Sequence, residues 1–382
     1  MSSKDICLDL LNKAQIPLDR SKPYGIEIKN EKIWNRILSE RQLGLAEGYM
    51  DGWWECDSID QFLSHLLDIQ VLESLRPSPK LVFHWAKSTF LNRQTKSKAD
   101  KNAKYHYNIG NDLYSRMLDS EMVYSCAYWK EAKNLDDAQI AKLDLICRKL
   151  GLKPGMKLLD IGCGWGSLII HAAKNYGVKA IGVTLSKQQL SLATQRVKDQ
   201  NLTDQVEIRL QDYREVPERD FDAISSVGMS EHVGDEKLDA YFAKLKTYVK
   251  DGGMILNHCI VRPTSKEPAQ AGAFIDRYIF PDGELTAASR VSQAMIDNSI
   301  ELRHSENLRE HYAMTLNKWC QNLKQNWQEA VKIVGEQRAR IWLLYMTVSQ
   351  IGFEINNIQI HQFLGVVNHA DGSNQLPLRQ YW

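Results

Sequence analysis

The stretch Lys157-Leu158-Leu159-Asp160-Ile161-Gly162-Cys163-Gly164-Trp165-Gly166 constrains this chain more than any other. A short apolar run ends in an acid, and three glycines then alternate into a segment that reads as helix. A strand that turns sharply into a helix, with glycines where the backbone must approach a ligand, is a nucleotide-type crevice. The Gly-x-Gly-x-Gly spacing is tighter than the Gly-x-Gly-x-x-Gly of dinucleotide sites. Asp160, immediately before it, is placed to anchor the loop and to meet a cationic group. The pattern points to S-adenosylmethionine more than to NAD; an ordinary tight strand–helix turn is the plainer alternative.

Alternation continues on both sides of this loop. Strand 157–161 leads to a helix from Gly166 to Asn175, and strand Ala180–Val183 leads to a helix from Lys187. Ser186 and Gln189 give that second helix a capping-box pattern. Strands at Val206–Leu210 and Phe221–Val227, a helix over 236–249 and a strand at Met254–Ile260 follow. Elements in this order predict an α/β fold: a doubly wound, Rossmann-like domain with a parallel sheet. Residues 262–300 read as an aromatic-rich insertion, and the helix around Ile341–Phe353 with the strand-like Ile358–Ile360 is expected to complete the sheet.

Ahead of that domain, residues 1–92 predict a smaller, mostly helical domain. Its stripes include Ile33, Trp34, Ile37 and Leu38, then Phe62, Leu63, Leu66 and Leu67, with a possible extended piece at Ile26–Ile28. Most of these are core positions. The tail, Leu81, Val82, Phe83, Trp85, Phe90 and Leu91, is apolar enough for a lipid surface or a second subunit. Residues 93–104 carry five positive side chains and one Asp, which reads equally as a headgroup-binding linker or a solvated hinge. The catalytic domain is expected over 105–382. Its first part, rich in rings from Tyr105 to Trp129, reads as a water-excluding lid or as plain packing.

The bulk numbers exclude several classes. A net charge of +1 gives no global field for nucleic acid. Seven cysteines without a Cys-x-x-Cys pair argue against a disulfide framework or a zinc site and for a reducing cytoplasm. No run approaches the roughly 20 apolar residues of a membrane span, so any bilayer is met from the side.

The strand ends carry the candidate chemistry, because ligands sit outside the carboxyl ends of such strands. Thr184 and Gln189 can bond a ligand at the second, where no ribose-binding acid stands. Asp212, in Leu210-Gln211-Asp212-Tyr213, is placed to accept from an adenine amino group or to cap its own strand. At the fourth stands Gly228-Met229-Ser230-Glu231-His232-Val233-Gly234, where nucleic-acid amino-methylating enzymes place Asn- or Asp-Pro-Pro-aromatic. The Glu-His pair suggests acid–base or anion-binding work instead, with His258 beside it from the fifth strand.

Together these motifs resemble the cyclopropane fatty acid synthases and the related mycolic acid cyclopropane synthases. The resemblance covers nearly the whole chain. It includes Gly48-Tyr49-Met50-Asp51-Gly52-Trp53-Trp54, Tyr124-Ser125-Cys126-Ala127-Tyr128-Trp129, the glycine loop, Gly182-Val183-Thr184-Leu185-Ser186, the Glu231 segment and Tyr278-Ile279-Phe280-Pro281-Asp282-Gly283. It implies transfer of a methylene from S-adenosylmethionine to a cis double bond of a phospholipid acyl chain, through a carbocation deprotonated by bound bicarbonate. Its alternative is simple methylation, giving methyl-branched or methylene fatty acids.

By the same resemblance, Cys126, Glu231, His258, Tyr312 and the backbone of Ile260 hold the bicarbonate. Tyr124, Ser125, Asp160, Gly162, Gly164, Thr184, Gln189, Asp212 and Tyr213 line the cofactor site. It also implies a cytoplasmic, peripherally membrane-associated enzyme, expected as a homodimer, with no metal and no nucleic-acid partner. Three positions depart from the family pattern: Tyr107-Asn108 for Tyr-Asp, Ser230 for an aromatic, and Asn257-His258-Cys259-Ile260 for a His-Thr-Ile version.

Overall fold

A computed structural model describes residues 2–67, 110–266, 272–280, 285–374, 376–378 and 382. The apolar tail at 81–91, the basic linker at 93–104, Tyr107-Asn108 and Pro281–Gly283 lie outside the described residues. The chain forms two compact units: residues 1–109, 271–282 and 319–351 in one, and residues 110–270, 283–318 and 352–382 in the other. After residue 109 the chain returns to the first unit twice, where a single division was expected at residue 104. Segments 272–280 and 319–351, expected with the sheet, pack with the amino-terminal residues.

In the first unit a two-stranded antiparallel ribbon pairs β1 (Ile26–Ile28) with β2 (Trp54–Cys56). Trp54 anchors it: the ring is buried between Tyr49 and Phe62, and Nε1 donates to the Leu45 carbonyl at 2.9 Å. Glu47 explains the recruitment of residues 272–280. Its buried carboxylate pairs with Arg36, and accepts from Arg277 at 3.0 Å and from the Tyr278 hydroxyl at 2.7 Å. Arg340, donating to Glu55 at 2.5 Å and to Glu336, ties in the later helix in the same way.

The second unit is built on a seven-stranded sheet. Its strands are β3 (Lys157–Ile161), β4 (Lys179–Thr184), β5 (Val206–Leu210), β6 (Phe221–Val227), β7 (Val249–Val261), β8 (Glu301–Asn307) and β9 (Gln359–Val366). The order is β5-β4-β3-β6-β7-β9-β8, parallel from β5 to β7, with β9 antiparallel to both β7 and β8. Side chains alternate across the pleat. Leu158, Ala180, Ala223, Leu256 and Leu364 face the helices Leu135–Lys149 and Ser167–Tyr176. Leu159, Val183, Ile224, Ile255 and Phe363 face Leu238–Lys246 and Ala288–Asp297.

Strand order reverses between β3 and β6, which opens a crevice beyond their carboxyl ends. The glycine loop enters it. The Gly162 and Cys163 N–H groups both donate to the Val183 carbonyl at 3.0 Å. Gly162, Gly164 and Gly166 all hold positive φ (77°, 55° and 81°), which other residues adopt only with strain.

β8 has no counterpart in the sequence reading. Its residues, Glu-Leu-Arg-His-Ser-Glu-Asn, are too polar to read as a strand, and β9 is the strand that pairs with them. No helix among the described residues is long and apolar enough to cross a membrane.

Gly182 shows how tightly the loop is packed: a Cβ there would lie 2.6 Å from Ile169 Cδ1 and 2.8 Å from Cys163 Cβ. Gly182→Ala should cost about 1–3 kcal/mol of stability, read as a lower urea midpoint with an unchanged slope.

Candidate active site

Asp160, near the end of β3, is buried, and its Oδ1 accepts from Ser225 Oγ on β6 at 2.7 Å. Burial pushes its carboxyl up to about 6, opposed by the Ser225 hydrogen bond and the charge of Lys142. The cation facing Asp160 is therefore one of the protein's own. Lys142 is buried on the helix Leu135–Lys149 and donates to Ser125 Oγ at 2.9 Å. Burial pushes its ammonium down to about 8. Gln139, on the same helix face, donates to the carbonyls of Val123 and Ser125 at 3.3 and 2.9 Å. The Tyr124-Ser125-Cys126 segment is thus pinned from the helix side. Rings continue toward the loop, Tyr124 on Tyr114 at 5.2 Å and Tyr114 on Trp165 at 4.9 Å. Trp165 Nε1 donates to Asn111 Oδ1 at 2.8 Å.

At the next two strand ends the candidate side chains are already engaged. Thr184 Oγ1 donates to Gln189 Oε1 at 2.7 Å. Ser186 caps its helix by accepting from the Gln189 N–H at 3.3 Å, so only half of the expected capping box forms. Asp212, expected at an adenine, is clasped by Arg214 through its backbone N–H, Nε (both 2.9 Å) and Nη2 (2.6 Å). That fork holds the carboxyl below its usual range. The Tyr213 carbonyl accepts from the Tyr248 hydroxyl at 2.6 Å. Leu185 and Leu210, beside Thr184 and Gln211, leave apolar surface exposed (76% and 43%), which their strand pattern hid.

A second cluster sits at the end of β7. Glu231, on the short turn Ser230–His232 after β6, accepts from the Ile260 N–H through Oε1 at 2.8 Å. That N–H, expected at an anion, is spent on the protein's own carboxylate. Among the described residues Glu231 Oε2 and His258 Nε2 are buried without a hydrogen-bond partner. Burial pushes the Glu231 carboxyl up to about 7. His258 lies well below its usual value because of burial and the charges of Lys142 and Lys149, so its ring is neutral. Asn257, on the opposite face of β7, donates to Ser230 Oγ at 3.2 Å and so fastens the Glu231 turn to the strand. Ser230 has a bonding role that the expected aromatic lacks.

Cys126 and Tyr312 join this cluster through the backbone. The Leu308 carbonyl accepts from the Tyr312 N–H at 3.1 Å and from Cys126 Sγ at 3.7 Å. The Leu308 N–H donates to the Ile360 carbonyl at 2.8 Å, and Ile360 is the β9 partner of Ile260. Burial pushes the Cys126 thiol far up, so it stays protonated and is no nucleophile. The Tyr312 ring lies against Phe353, with centroids 4.7 Å apart and the planes tilted by 37°. Cys126, Glu231, His258, Ile260 and Tyr312 are thus tied to one end of the sheet. Lys142, Lys149, Ser225 and Gln362 were missed, because a lysine on a helix reads as a solvated face.

Residues 94–363 match the family described as mycolic acid cyclopropane synthetase. The chain belongs to this family. The cyclopropane-fatty-acyl-phospholipid synthase of Escherichia coli K12 is 40% identical over 357 residues, which is 94% of this chain and 91% of that one. The probable fatty acid methyltransferase Rv3720 of Mycobacterium tuberculosis is 44% identical over 279 residues, 73% of this chain and 65% of that one. The crystal structure of mycolic acid cyclopropane synthase CmaA1 complexed with SAH and CTAB is similar with a TM-score of 0.65 at 33% identity. That similarity covers 70% of this chain and 97% of CmaA1.

As a member of this family, the chain is an S-adenosylmethionine-dependent methyltransferase. Its glycine turn suits that cofactor: a Cβ at Gly164 would meet nothing within 4 Å, so the loop is open on the ligand side.

A carboxyl raised from 4.5 to about 7 favours the folded state as the acid. That contribution is fully present below pH 4.5 and is lost as pH rises through about 7. Glu231→Gln does not titrate. The Tm of the variant relative to the parent should rise steadily between pH 5 and 8, by ~2–4 °C for each kcal/mol lost by the parent. A pH-independent difference would mean that Glu231 is ionised throughout.

Proposed function

We propose that this enzyme is a cyclopropane-fatty-acyl-phospholipid synthase that adds a methylene to the cis double bond of phospholipid acyl chains. One observation carries the proposal: Glu231 Oε2 and His258 Nε2, both buried and unpartnered among the described residues, at the end of β7. Buried polar atoms are almost always bonded, so two such atoms mark a place for a polar guest. Neither is a permanent charge, since Glu231 is pushed up to about 7 and His258 is neutral. Together they suit a small anion that donates and accepts, such as bicarbonate. The Cys126 thiol and the Ile260 N–H, spent on protein acceptors, serve as walls rather than ligands.

In this proposal S-adenosylmethionine, when bound, would supply an electrophilic sulfonium methyl, and a small anion held by Glu231 and His258 would supply the base for a proton of the new methyl. The chain's own residues do the rest. Asp160 and Lys142 brace the glycine loop and the 124–126 segment, and the cofactor rests on the backbone of Gly162 and Gly164. Tyr124, Ser125, Thr184, Gln189, Asp212 and Tyr213 complete its lining, Asp212 by exchanging Arg214 for the adenine. Tyr312, tilted against Phe353, would offer an aromatic face to a developing cation, worth up to ~2 kcal/mol when desolvated. Burial excludes the water that would quench it.

The Escherichia coli relative, which matches across 94% of the chain, supports phospholipid acyl chains as the substrate class. We further assign the catalytic role to the sheet-bearing unit, and lipid engagement or subunit pairing to residues 1–92. The enzyme would act in the cytoplasm as a homodimer, meeting the bilayer from its surface. The 44% identity to Rv3720, described as a probable fatty acid methyltransferase, favours a second outcome, simple methylation to a branched or methylene chain.

The test is mass spectrometry of acyl chains after incubating the protein with S-adenosylmethionine and vesicles of cis-monounsaturated phospholipid. A gained methylene that survives hydrogenation as a ring is expected. A gained methylene that behaves as a saturated branch after hydrogenation would support the second outcome. Glu231→Gln should lower product formation by ~100-fold or more with cofactor binding unchanged in calorimetry.

A further inference from the structure

Lys149 ends the helix Leu135–Lys149 with its side chain fully buried. Its ammonium has two polar partners, the Glu306 carboxylate on β8 and Gln362 Oε1 on β9 at 2.8 Å, and lies 5.7 Å from the centre of the Trp382 ring. Gln362 is the direct cross-strand partner of His258, and its amide nitrogen stands 3.1 Å from His258 Nδ1.

These contacts fix the hydrogens. An ammonium only donates, so the Gln362 atom facing Lys149 must be the carbonyl oxygen. The opposite atom is then NH2, which only donates, so His258 Nδ1 must accept. A neutral imidazole with an accepting Nδ1 carries its proton on Nε2. The alternative, a flipped amide, would set NH2 against an ammonium inside the protein.

We propose that Lys149, acting through Gln362, locks His258 in the Nε2–H tautomer, so that His258 meets the reaction site as a hydrogen-bond donor and not as a base. Burial and the charges of Lys142, Lys149 and His361 all act against a second proton on the ring. Of the two unpartnered atoms at the end of β7, Nε2 therefore steadies negative charge, and Glu231 Oε2 is the one able to take up and release a proton. Lys149 and Gln362 are positioning residues. The catalytic consequence rests on the proposed function; the tautomer does not.

Two-bond proton–nitrogen NMR spectra of the full chain labelled with 15N-histidine read the tautomer directly, with His258 identified by its loss in His258→Asn. The wild-type ring is expected to show a pyridine-like Nδ1 and a pyrrole-like Nε2. Gln362→Glu places a carboxylate, which only accepts, opposite Nδ1. It should move the proton to Nδ1 and lower product formation ~10-fold or more, with KM for S-adenosylmethionine unchanged. Lys149→Met frees the amide and should give a mixture of tautomers. A proton on Nδ1 in the wild-type protein, or an unaltered tautomer in folded Gln362→Glu, overturns the relay. If neither variant folds, the wild-type spectrum still decides. A switched tautomer with undiminished product supports the relay and counts against the reaction assigned to this site.

Discussion

Burial of charge along one face of the sheet is the constraint on which the site depends. The helix Leu135–Lys149 lays Lys142 and Lys149 against strands carrying Asp160, Ser225, His258 and Gln362, all of them buried. An isolated charge there would be costly, so each charged group must find a partner or change its protonation. The protein does both. Lys142 bonds Ser125 and faces Asp160, while Lys149 takes Glu306 and Gln362. Asp160 and Glu231 hold their protons more tightly than exposed carboxyls, and His258 refuses its second one.

This arrangement divides the crevice into two chemical environments. Toward β4 and β5 the groups are near the surface and conventionally charged, as the Asp212–Arg214 clasp shows. Toward β7, Glu231 and His258 are dry and close to neutral. In the proposed reaction a sulfonium cofactor and an acyl chain would make opposite demands, one for polar contacts and one for exclusion of water, and these two environments would suit them. The Asp160–Ser225 bond between β3 and β6 joins the two environments at the point where strand order reverses.

Much of this was legible in the sequence where local chemistry decides structure. The glycine loop and strands β3 to β7 follow from apolar runs and positive-φ glycines. Glu231 and His258 stood out because strand ends in such sheets face ligands. What stayed hidden depends on pairing between distant segments. β8 is polar and exists through its register with β9; the Gln362–His258 contact follows from that same antiparallel insertion. Segments 272–280 and 319–351 join the amino-terminal unit through Glu47 and Arg340, which no periodicity announces. Asp212 was read by position alone, without the arginine two residues on.

In the proposed reaction the site completes a ring instead of stopping at a methyl group. The most direct measurement uses S-adenosylmethionine with a fully deuterated transferred methyl and monounsaturated phospholipid vesicles, with the label counted in the product. Ring closure requires loss of a proton from the new methyl, so two of the three deuterium atoms should remain, both on the bridging carbon. A product retaining all three would show that the methyl is never deprotonated, and would contradict the role assigned to the base site at the end of β7.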